Sequence, residues 1–243
     1  MSQLTVFLDD GGVMNDNSQR AEQWQRLVSE FFMPLLGGTS EAWIEANRVV
    51  ANRMFELENW RMRVHAAADY ASFNRTYHVD WLGGMCEFVG IPAPPEEECI
   101  ELASRAVAYI TCRVHAAFPG VVEAIRTLHS QGYTLHTASG ESSIELAGYL
   151  DGMGVRDCFG RLYGPDLIAT FKEGPQYYER IFADAGVAPA DALVIDDSSR
   201  AINWAEQIGA QTLLVSDSPH PKTRMTRYIG SLAELTVIIQ QRS

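Results

Sequence analysis

The stretch that decides the fold of this chain is Leu4-Thr-Val-Phe-Leu-Asp-Asp-Gly-Gly-Val-Met-Asn-Asp16. Its first five residues are apolar or β-branched and stop at an acidic pair, which is the pattern of a short buried strand. Asp9 therefore follows the carboxyl end of that strand, where open α/β sheets bind their ligands. The two glycines that come next allow a sharp turn. Taken alone, such an Asp is more often a turn or capping residue than a nucleophile or metal ligand.

Three later segments also place polar residues at the end of a predicted strand or just ahead of a predicted helix. They are Thr137 with Ser139, Lys172 ahead of Pro175, and the pair Asp196-Asp197. The carboxyl ends of parallel strands meet at one edge of a sheet, so we expect these side chains to converge near Asp9. Each segment alone is weak evidence, because surface lysines and helix-capping aspartates are common.

Together and in this order, the four segments resemble the motifs of the haloacid dehalogenase superfamily. The resemblance covers residues 1–15 and about 117–215, and its first motif is Asp9-Asp10-Gly11-Gly12-Val13. It implies an α/β fold with a Rossmann-like parallel sheet core, helices on both faces and an inserted all-α cap. It also implies a hydrolase that forms a covalent intermediate on Asp9, and it does not fix the substrate.

The pattern along the chain predicts the same organisation. From about residue 117 onward, strands and helices alternate, which is typical of parallel βαβ units in a sheet covered on both faces. Residues 17–115 instead carry apolar side chains at three- and four-residue spacing, the pattern of amphipathic helices. We therefore predict a Rossmann-like hydrolase core of residues 1–16 and 116–243, and a helical cap domain of residues 17–115.

Two regions are expected to be less regular. Gly83-Gly84 is the expected weak point of a helical region over residues 62–90, because glycine lowers helix stability. Residues 219–230 are polar and are predicted to be irregular, and Leu232–Ile239 is predicted to form a final helix or strand.

The resemblance implies a Mg²⁺ site made of oxygen ligands, which this cation prefers. Asp9 and Asp197 are the predicted side-chain ligands, with Asp196 beside them or acting through water. The backbone carbonyl of Gly11 is a further predicted ligand, since a carbonyl requires no side chain. The negative charges of two adjacent aspartates repel each other unless a cation lies beside them, which also favours a metal site.

The other predicted site residues would hold a transferring phosphoryl group. Attack by Asp9 would split one difficult displacement into two easier ones. Thr137 would donate its hydroxyl to a phosphoryl oxygen, and Lys172 would pair with Asp9 and the phosphoryl group as a point charge. Ser139 and the tight turn at Gly12 are predicted to contact the substrate. The expected partner is a small phosphorylated molecule.

Position 11 departs from the pattern of the resembled phosphatases, which carry a second Asp there as general acid/base. With Gly11, no obvious side chain protonates the leaving oxygen or activates the water that attacks the acyl-phosphate. A positioned general acid/base typically raises the reaction rate roughly 10²–10⁴-fold. If nothing replaces it, we expect slow turnover of alkyl phosphates, whose leaving groups need a proton, and much less handicap on aryl phosphates.

Other functions stay open on the sequence. Relatives that cleave carbon–halogen bonds also lack the second Asp, so a 2-haloacid dehalogenase is the main alternative. Those enzymes need no metal, whereas Asp196-Asp197 favours one. A phosphonate-cleaving enzyme would need a lysine in the cap, and residues 17–115 contain none. A binding or regulatory protein with a weakened active site is the remaining alternative, and the retention of all four motifs argues against complete loss.

Composition bounds the classes of partner. The chain has 243 residues, 47% of them hydrophobic, which suffices for a sizeable core. Its formal net charge of −12 predicts no general affinity for nucleic acid or anionic membranes. The four cysteines show no CxxC or zinc spacing and are expected to be reduced thiols. No signal-peptide pattern opens the sequence and no run approaches the ~20 apolar residues of a membrane span, so a cytoplasmic location is expected.

Overall fold

The computed structural model describes residues 4–216 and 227–235. Within them, six parallel strands form one sheet: β1 (Thr5–Leu8), β2 (Thr134–Ala138), β3 (Phe159–Tyr163), β4 (Ala192–Asp196), β5 (Gln211–Val215) and β6 (Tyr228–Ile229). The strand order is β3-β2-β1-β4-β5-β6, which places β1 between β2 and β4. This architecture confirms the predicted α/β fold class.

The path of the chain creates a switch point at the central strand. From β1 the chain continues to β2 and β3 on one side, and it then returns to β4, β5 and β6 on the other side. Leu8 at the end of β1 is level with Thr137 of β2 and Ile195 of β4. Asp9 therefore leaves the sheet at the position where open parallel sheets form ligand-binding crevices.

Helices follow the strands in chain order. Between β1 and β2 lie α1 (Asn17–Leu36), α2 (Ser40–Phe55), α3 (Leu57–Ala66), α4 (Tyr70–Val89), α5 (Glu96–Thr111) and α6 (Val121–Ser130). Beyond β2 lie α7 (Ser143–Met153), α8 (Pro165–Ile168), α9 (Pro175–Ala185) and α10 (Ser199–Gln207). Across the described helices, none combines the length with the apolar character that a membrane crossing demands.

The sheet has a hydrophobic core on each face, because alternate residues of a strand point to opposite sides. Val6 and Leu8 pack in the cluster that includes the apolar residues of α6 and α7. Phe7 and Val194 pack in the other cluster, with residues of α9 and α10. Burial on both faces explains why β1 reads as a continuous apolar run rather than as an alternating one.

The chain divides into two compact units. One contains the residues up to Asn17 and from His115 onward and includes the sheet, and the other is the helical segment Ser18–Val114. The helical unit has an aromatic core of its own, in which Phe32 stacks on Trp43 with ring centroids 5.2 Å apart. The assignment of this unit as a cap domain stays a prediction.

The helical region over residues 62–90 is interrupted between α3 and α4, whereas α4 continues through Gly83-Gly84, the predicted weak point. Asp69 caps α4 in a capping box with Ser72, which starts a new helix there. Gly84 lies inside α4, where an added Cβ would come within 2.9 Å of the guanidinium of Arg53 on α2. This glycine therefore permits close packing of α2 and α4.

The edge strand β6 lies within residues 219–230, which are expected to be irregular. It pairs in parallel with the last two residues of β5. A strand of two residues is too short to show alternation, so the sequence carries no signal for it. Leu232–Glu234 forms a 3₁₀ turn, and residues 219–226 and 236–239 of the two predicted tail segments lie outside the described residues.

Candidate active site

Asp9 is held directly beyond the central strand. Its backbone N–H donates to the carbonyl of Ile195 at 3.0 Å, which fixes the start of the turn beside β4. The next residue, Asp10, is fully buried, and its carboxylate accepts a hydrogen bond from the Asn15 side-chain amide at 2.8 Å. The Asp10 carbonyl also accepts backbone N–H groups of the same turn. Asp10 therefore stabilises the turn that positions Asp9.

Gly12 is the glycine whose conformation this turn requires. It has φ 80°, and a Cβ at this position would lie 2.1 Å from Oδ2 of Asp197. The carboxylate of Asp197 thus lies against the Gly12 backbone. The N–H of Gly12 donates to the carbonyl of Asn15 at 2.8 Å, so it serves the turn. Gly11 pairs with Asn15 in an isolated β-bridge.

Lys172 links two of the carboxylates. Its Nζ lies 3.0 Å from Oδ1 of Asp9 and 2.7 Å from Oδ2 of Asp196, and its side chain is only 11% exposed. Pro175 begins α9 three residues later, and proline is favoured at the first turn of a helix. Burial alone would lower the pKa of Lys172, but Asp196 and Asp9 hold it well above its ordinary value. The ammonium therefore stays charged.

Both carboxylate oxygens of Asp196 are engaged by protein groups. Oδ1 accepts the backbone N–H of Ser198 at 2.8 Å, and Oδ2 accepts the hydroxyl of Tyr178 at 3.2 Å in addition to Lys172. Burial raises the pKa of the Tyr178 hydroxyl well above its ordinary value, so this group keeps its proton and donates. Asp196 is thereby fixed as an anchor for Lys172.

Asp9, Asp196 and Asp197 form a carboxylate cluster. Each offers one oxygen, and these oxygens all lie within 4.8 Å of one another. Burial raises the pKa of Asp9 to about 8, against the lowering effect of Lys172, and the charges of Asp196 and Glu141 raise it further. Burial and Asp196 also raise the pKa of Asp197. One ammonium does not neutralise this cluster, and its all-oxygen donor set fits a Mg²⁺ ion.

The hydroxyls predicted on β2 have different surroundings. Thr137 is fully buried within the strand, and its Oγ1 donates to the carbonyl of Tyr163 at 3.3 Å. Ser139 follows the last residue of β2, and its Oγ donates to Oε2 of Glu141. The carbonyl of Ser139 accepts the hydroxyl of Tyr177 at 2.6 Å. Ser139 therefore comes directly after β2, just as Asp9 comes directly after β1.

Sequence analysis assigned no role to the two tyrosines of this site. Tyr177 and Tyr178 are fully buried and lie in the core cluster with Ile181 and Phe182 of α9. Their spacing on α9 therefore has the pattern of core residues, and it gives no information on where the hydroxyls are directed. The sequence feature that points to a role for them is their position, five and six residues after Lys172 and on the first turn of the helix that follows it.

A family model described as haloacid dehalogenase-like hydrolase matches residues 10–209, and the chain belongs to that family of hydrolases. A stretch of 103 residues is 28% identical to the probable phosphatase IndB of Dickeya dadantii, and it covers 42% of this chain and 45% of that protein. A stretch of 98 residues is 26% identical to the phosphoglycolate phosphatase of Mesorhizobium japonicum, with 40% and 43% covered. These alignments span less than half the length of either relative.

A solved structure resembles the chain over its whole length. The L-2-haloacid dehalogenase from Xanthobacter autotrophicus superposes with a TM-score of 0.63 at 15% sequence identity, with 100% of both chains covered. At this identity the likeness concerns the fold alone.

Proposed function

We propose that this chain is a Mg²⁺-dependent phosphohydrolase that acts on a small phosphorylated molecule through an aspartyl-phosphate intermediate on Asp9. The observation that carries the proposal is the carboxylate cluster at the end of the central strand, with Lys172 bound to two of its members. The two partial relatives named as phosphatases support the same reaction class. Mg²⁺ bound here would neutralise charge on the phosphoryl oxygens.

In this proposal each cluster residue has its own task. An oxygen of Asp9 attacks phosphorus, and Lys172 balances the charge of Asp9 and of the phosphoryl group. Asp9 and Asp197 hold the cation with the carbonyl of Gly11. Asp196 positions Lys172, because both of its own oxygens already accept hydrogen bonds from protein groups.

We assign the hydroxyl that contacts the phosphoryl group to Ser139 rather than to Thr137. The Thr137 hydroxyl donates to a sheet carbonyl inside the core, whereas Ser139 lies beyond the strand end. The proposed task of Gly12 is to leave room for Asp197, since its N–H is used within the turn. We further propose that residues 17–115, which include the helical unit, act as the predicted cap domain that shields the reaction from water.

The test of the reaction class is an assay of phosphate release from a panel of small phosphate esters, with Mg²⁺ and with EDTA. We expect release that depends on Mg²⁺. The competing function, suggested by the dehalogenase of the same fold, predicts halide release from 2-haloacids that EDTA does not suppress. Halide release in EDTA without phosphate release in Mg²⁺ would replace our proposal by that alternative.

Asp197→Asn is expected to weaken Mg²⁺ binding by at least about 10–100-fold, the loss that removal of even an outer-shell partner produces. The physical reason is that an amide supplies one neutral oxygen where the carboxylate supplied a charged one. Isothermal calorimetry with Mg²⁺ measures the affinity, and Asp157→Asn, an exposed acidic residue of the same unit, is the control. Equal affinities of wild type and Asp197→Asn would remove Asp197 from the site.

Gly12→Ala is expected to weaken Mg²⁺ binding by about 10–100-fold because the new methyl group displaces the Asp197 carboxylate. Gly186→Ala is the matched control, since Gly186 also has positive φ (66°) but has nothing within 4 Å of an added Cβ. Both variants carry the backbone strain of about 1–2 kcal/mol. Calorimetry should show weaker binding for Gly12→Ala alone, and an equal loss in both would attribute the effect to strain.

A further inference from the structure

Glu141 is a further carboxylate at this site, outside both the cluster and the turn. Its Oε2 accepts a hydrogen bond from the hydroxyl of Ser139, the residue that follows β2. Its negative charge raises the pKa of Asp9, of Asp197 and of the Tyr177 hydroxyl. Glu141 therefore lies within electrostatic reach of the proposed nucleophile. Its side chain is half-buried.

The loop that carries Glu141 is fixed at both ends. At its start, the hydroxyl of Tyr177 donates to the carbonyl of Ser139 at 2.6 Å. At its end, Ser142 caps α7 in a capping box. In its middle, the Glu141 carbonyl oxygen packs closely on Gly164, since a Cβ added to Gly164 would lie 2.1 Å from that oxygen. The backbone at Glu141 thus has little conformational freedom. Such rigidity is required of a side chain that must be held close to a reacting atom.

Phosphate ester hydrolysis through Asp9 needs two proton transfers that the other carboxylates are poorly placed to perform. Asp10 is buried and bonded to Asn15. Asp196 accepts hydrogen bonds at both oxygens. Asp9 forms the new bond to phosphorus, and Asp197 is the proposed metal ligand. Gly11 has no side chain, so the chemistry requires a donor and acceptor from another element.

We propose that Glu141 is the general acid and base of the reaction, an inference that rests on the proposed function. In the first step an oxygen of Asp9 bonds to phosphorus, the ester P–O bond breaks, and the leaving oxygen takes the proton of the Glu141 carboxyl group. In the second step the Glu141 carboxylate takes a proton from water. The water oxygen bonds to phosphorus, the bond between phosphorus and Asp9 breaks, and its electron pair returns to Asp9.

Glu141→Gln separates proton transfer from structure. The carbonyl oxygen of Gln still accepts the hydrogen bond from Ser139, but the side chain cannot exchange a proton. Single-turnover rates are measured with enzyme in excess, Mg²⁺ present, on glycerol phosphate and on p-nitrophenyl phosphate. We expect alcohol release from glycerol phosphate to fall by about 10²-fold or more, because an alkoxide needs a proton. Release of p-nitrophenol should stay within about threefold of wild type, since that anion leaves without one.

The second step gives an independent readout. After p-nitrophenol release, the phospho-enzyme of Glu141→Gln should persist about 10²-fold longer than that of wild type, because no base activates the water. Acid quenching and phosphate detection on the protein measure its lifetime. Glu141→Asp should recover part of both losses. Glu173→Gln, which removes an exposed charge next to Lys172, is the matched control and should behave as wild type.

The outcomes are distinguishable. An equal fall with both substrates, or no fall with either, overturns the role of Glu141 and leaves the proposed function in place. A purely structural role would slow the release of both leaving groups to the same extent. A wild-type protein that releases phosphate from neither ester overturns the proposed function and this inference with it.

Discussion

Asp9→Asn is expected to abolish phosphate release and to leave the fold intact. An amide cannot form the acyl-phosphate, and loss of the nucleophile from a covalent mechanism costs on the order of 10⁶-fold, so we expect at least about 10⁴-fold here. The backbone N–H of residue 9 keeps its bond to the Ile195 carbonyl, which does not depend on the side chain. Steady-state phosphate release and thermal unfolding followed by circular dichroism measure the two effects.

The same change should not lower stability in the absence of metal. The Asp9 charge is costly to bury, and the charges of Asp196 and Glu141 oppose it. A neutral side chain removes that cost, while Lys172 keeps its shorter contact with Asp196. We therefore expect a melting temperature in EDTA equal to or above that of wild type.

Asp10→Asn is the matched control for Asp9→Asn, because it makes the same isosteric change one residue along the chain. It weakens the hydrogen bond from Asn15 to a buried carboxylate, so a loss of about 1–3 kcal/mol of unfolding free energy is expected. Turnover should stay within about tenfold of wild type, since the proposed mechanism assigns Asp10 no part in the chemistry. If Asp9→Asn retained the wild-type rate, Asp9 would not be the nucleophile.

The sheet and the place of the site follow from the sequence because both rest on local patterns. Val6–Leu8 and Ala192–Ile195 are buried on both faces, and neither run contains a polar residue before the aspartates that follow it. Asp9 and Asp197 therefore mark strand ends directly. Parallel connections then bring those ends to one edge, without any knowledge of distances.

The proposed reassignment of the phosphoryl-binding hydroxyl from Thr137 to Ser139 shows the limit of such patterns. One residue decides whether a hydroxyl lies inside the strand or beyond it, and strand ends are the least certain part of any sequence interpretation. In the structure β2 continues to Ala138, so Thr137 donates to a sheet carbonyl and Ser139 lies at the end. The sequence likewise does not show which residue of Gly11-Gly12 has the positive φ, and the structure shows that it is Gly12.

Contacts between distant elements leave no trace in the local pattern. The hydroxyl of Tyr178 on α9 reaches Asp196, and that of Tyr177 reaches the carbonyl of Ser139. Both tyrosines occupy apolar positions of an amphipathic helix, so periodicity assigns them to the core. Glu141 follows Ser139 by two residues, so the sequence places it near the pocket, but its proposed role in proton transfer depends on the loop geometry that brings its charge to act on Asp9.

Lys172→Met is expected to lower both stability and activity. The ammonium contacts Asp9 at 3.0 Å and Asp196 at 2.7 Å, and Asp196 is almost fully buried. Removing one partner of a buried ion pair leaves an uncompensated charge, which costs about 3–5 kcal/mol. Loss of the cation beside the phosphoryl group should also lower turnover by at least about 10²-fold. Urea unfolding in EDTA and steady-state kinetics measure the two effects.

Arg161→Met is the matched control for the loss of stability. Arg161 pairs with Asp184 at 3.0 Å in the same unit, but the arginine side chain is 55% exposed, so water replaces the lost partner. We expect a much smaller change in unfolding free energy than for Lys172→Met.

The double variant Lys172→Met/Asp196→Asn tests the cause of the destabilisation. If an orphaned charge on Asp196 causes it, removing that charge should return part of the lost stability, so that the two changes are not additive. Activity should stay low, because no cation is restored to the phosphoryl group. Additive losses of stability would mean that Lys172 acts through packing of its hydrocarbon chain, and wild-type stability of Lys172→Met would mean that the ion pair contributes nothing in solution.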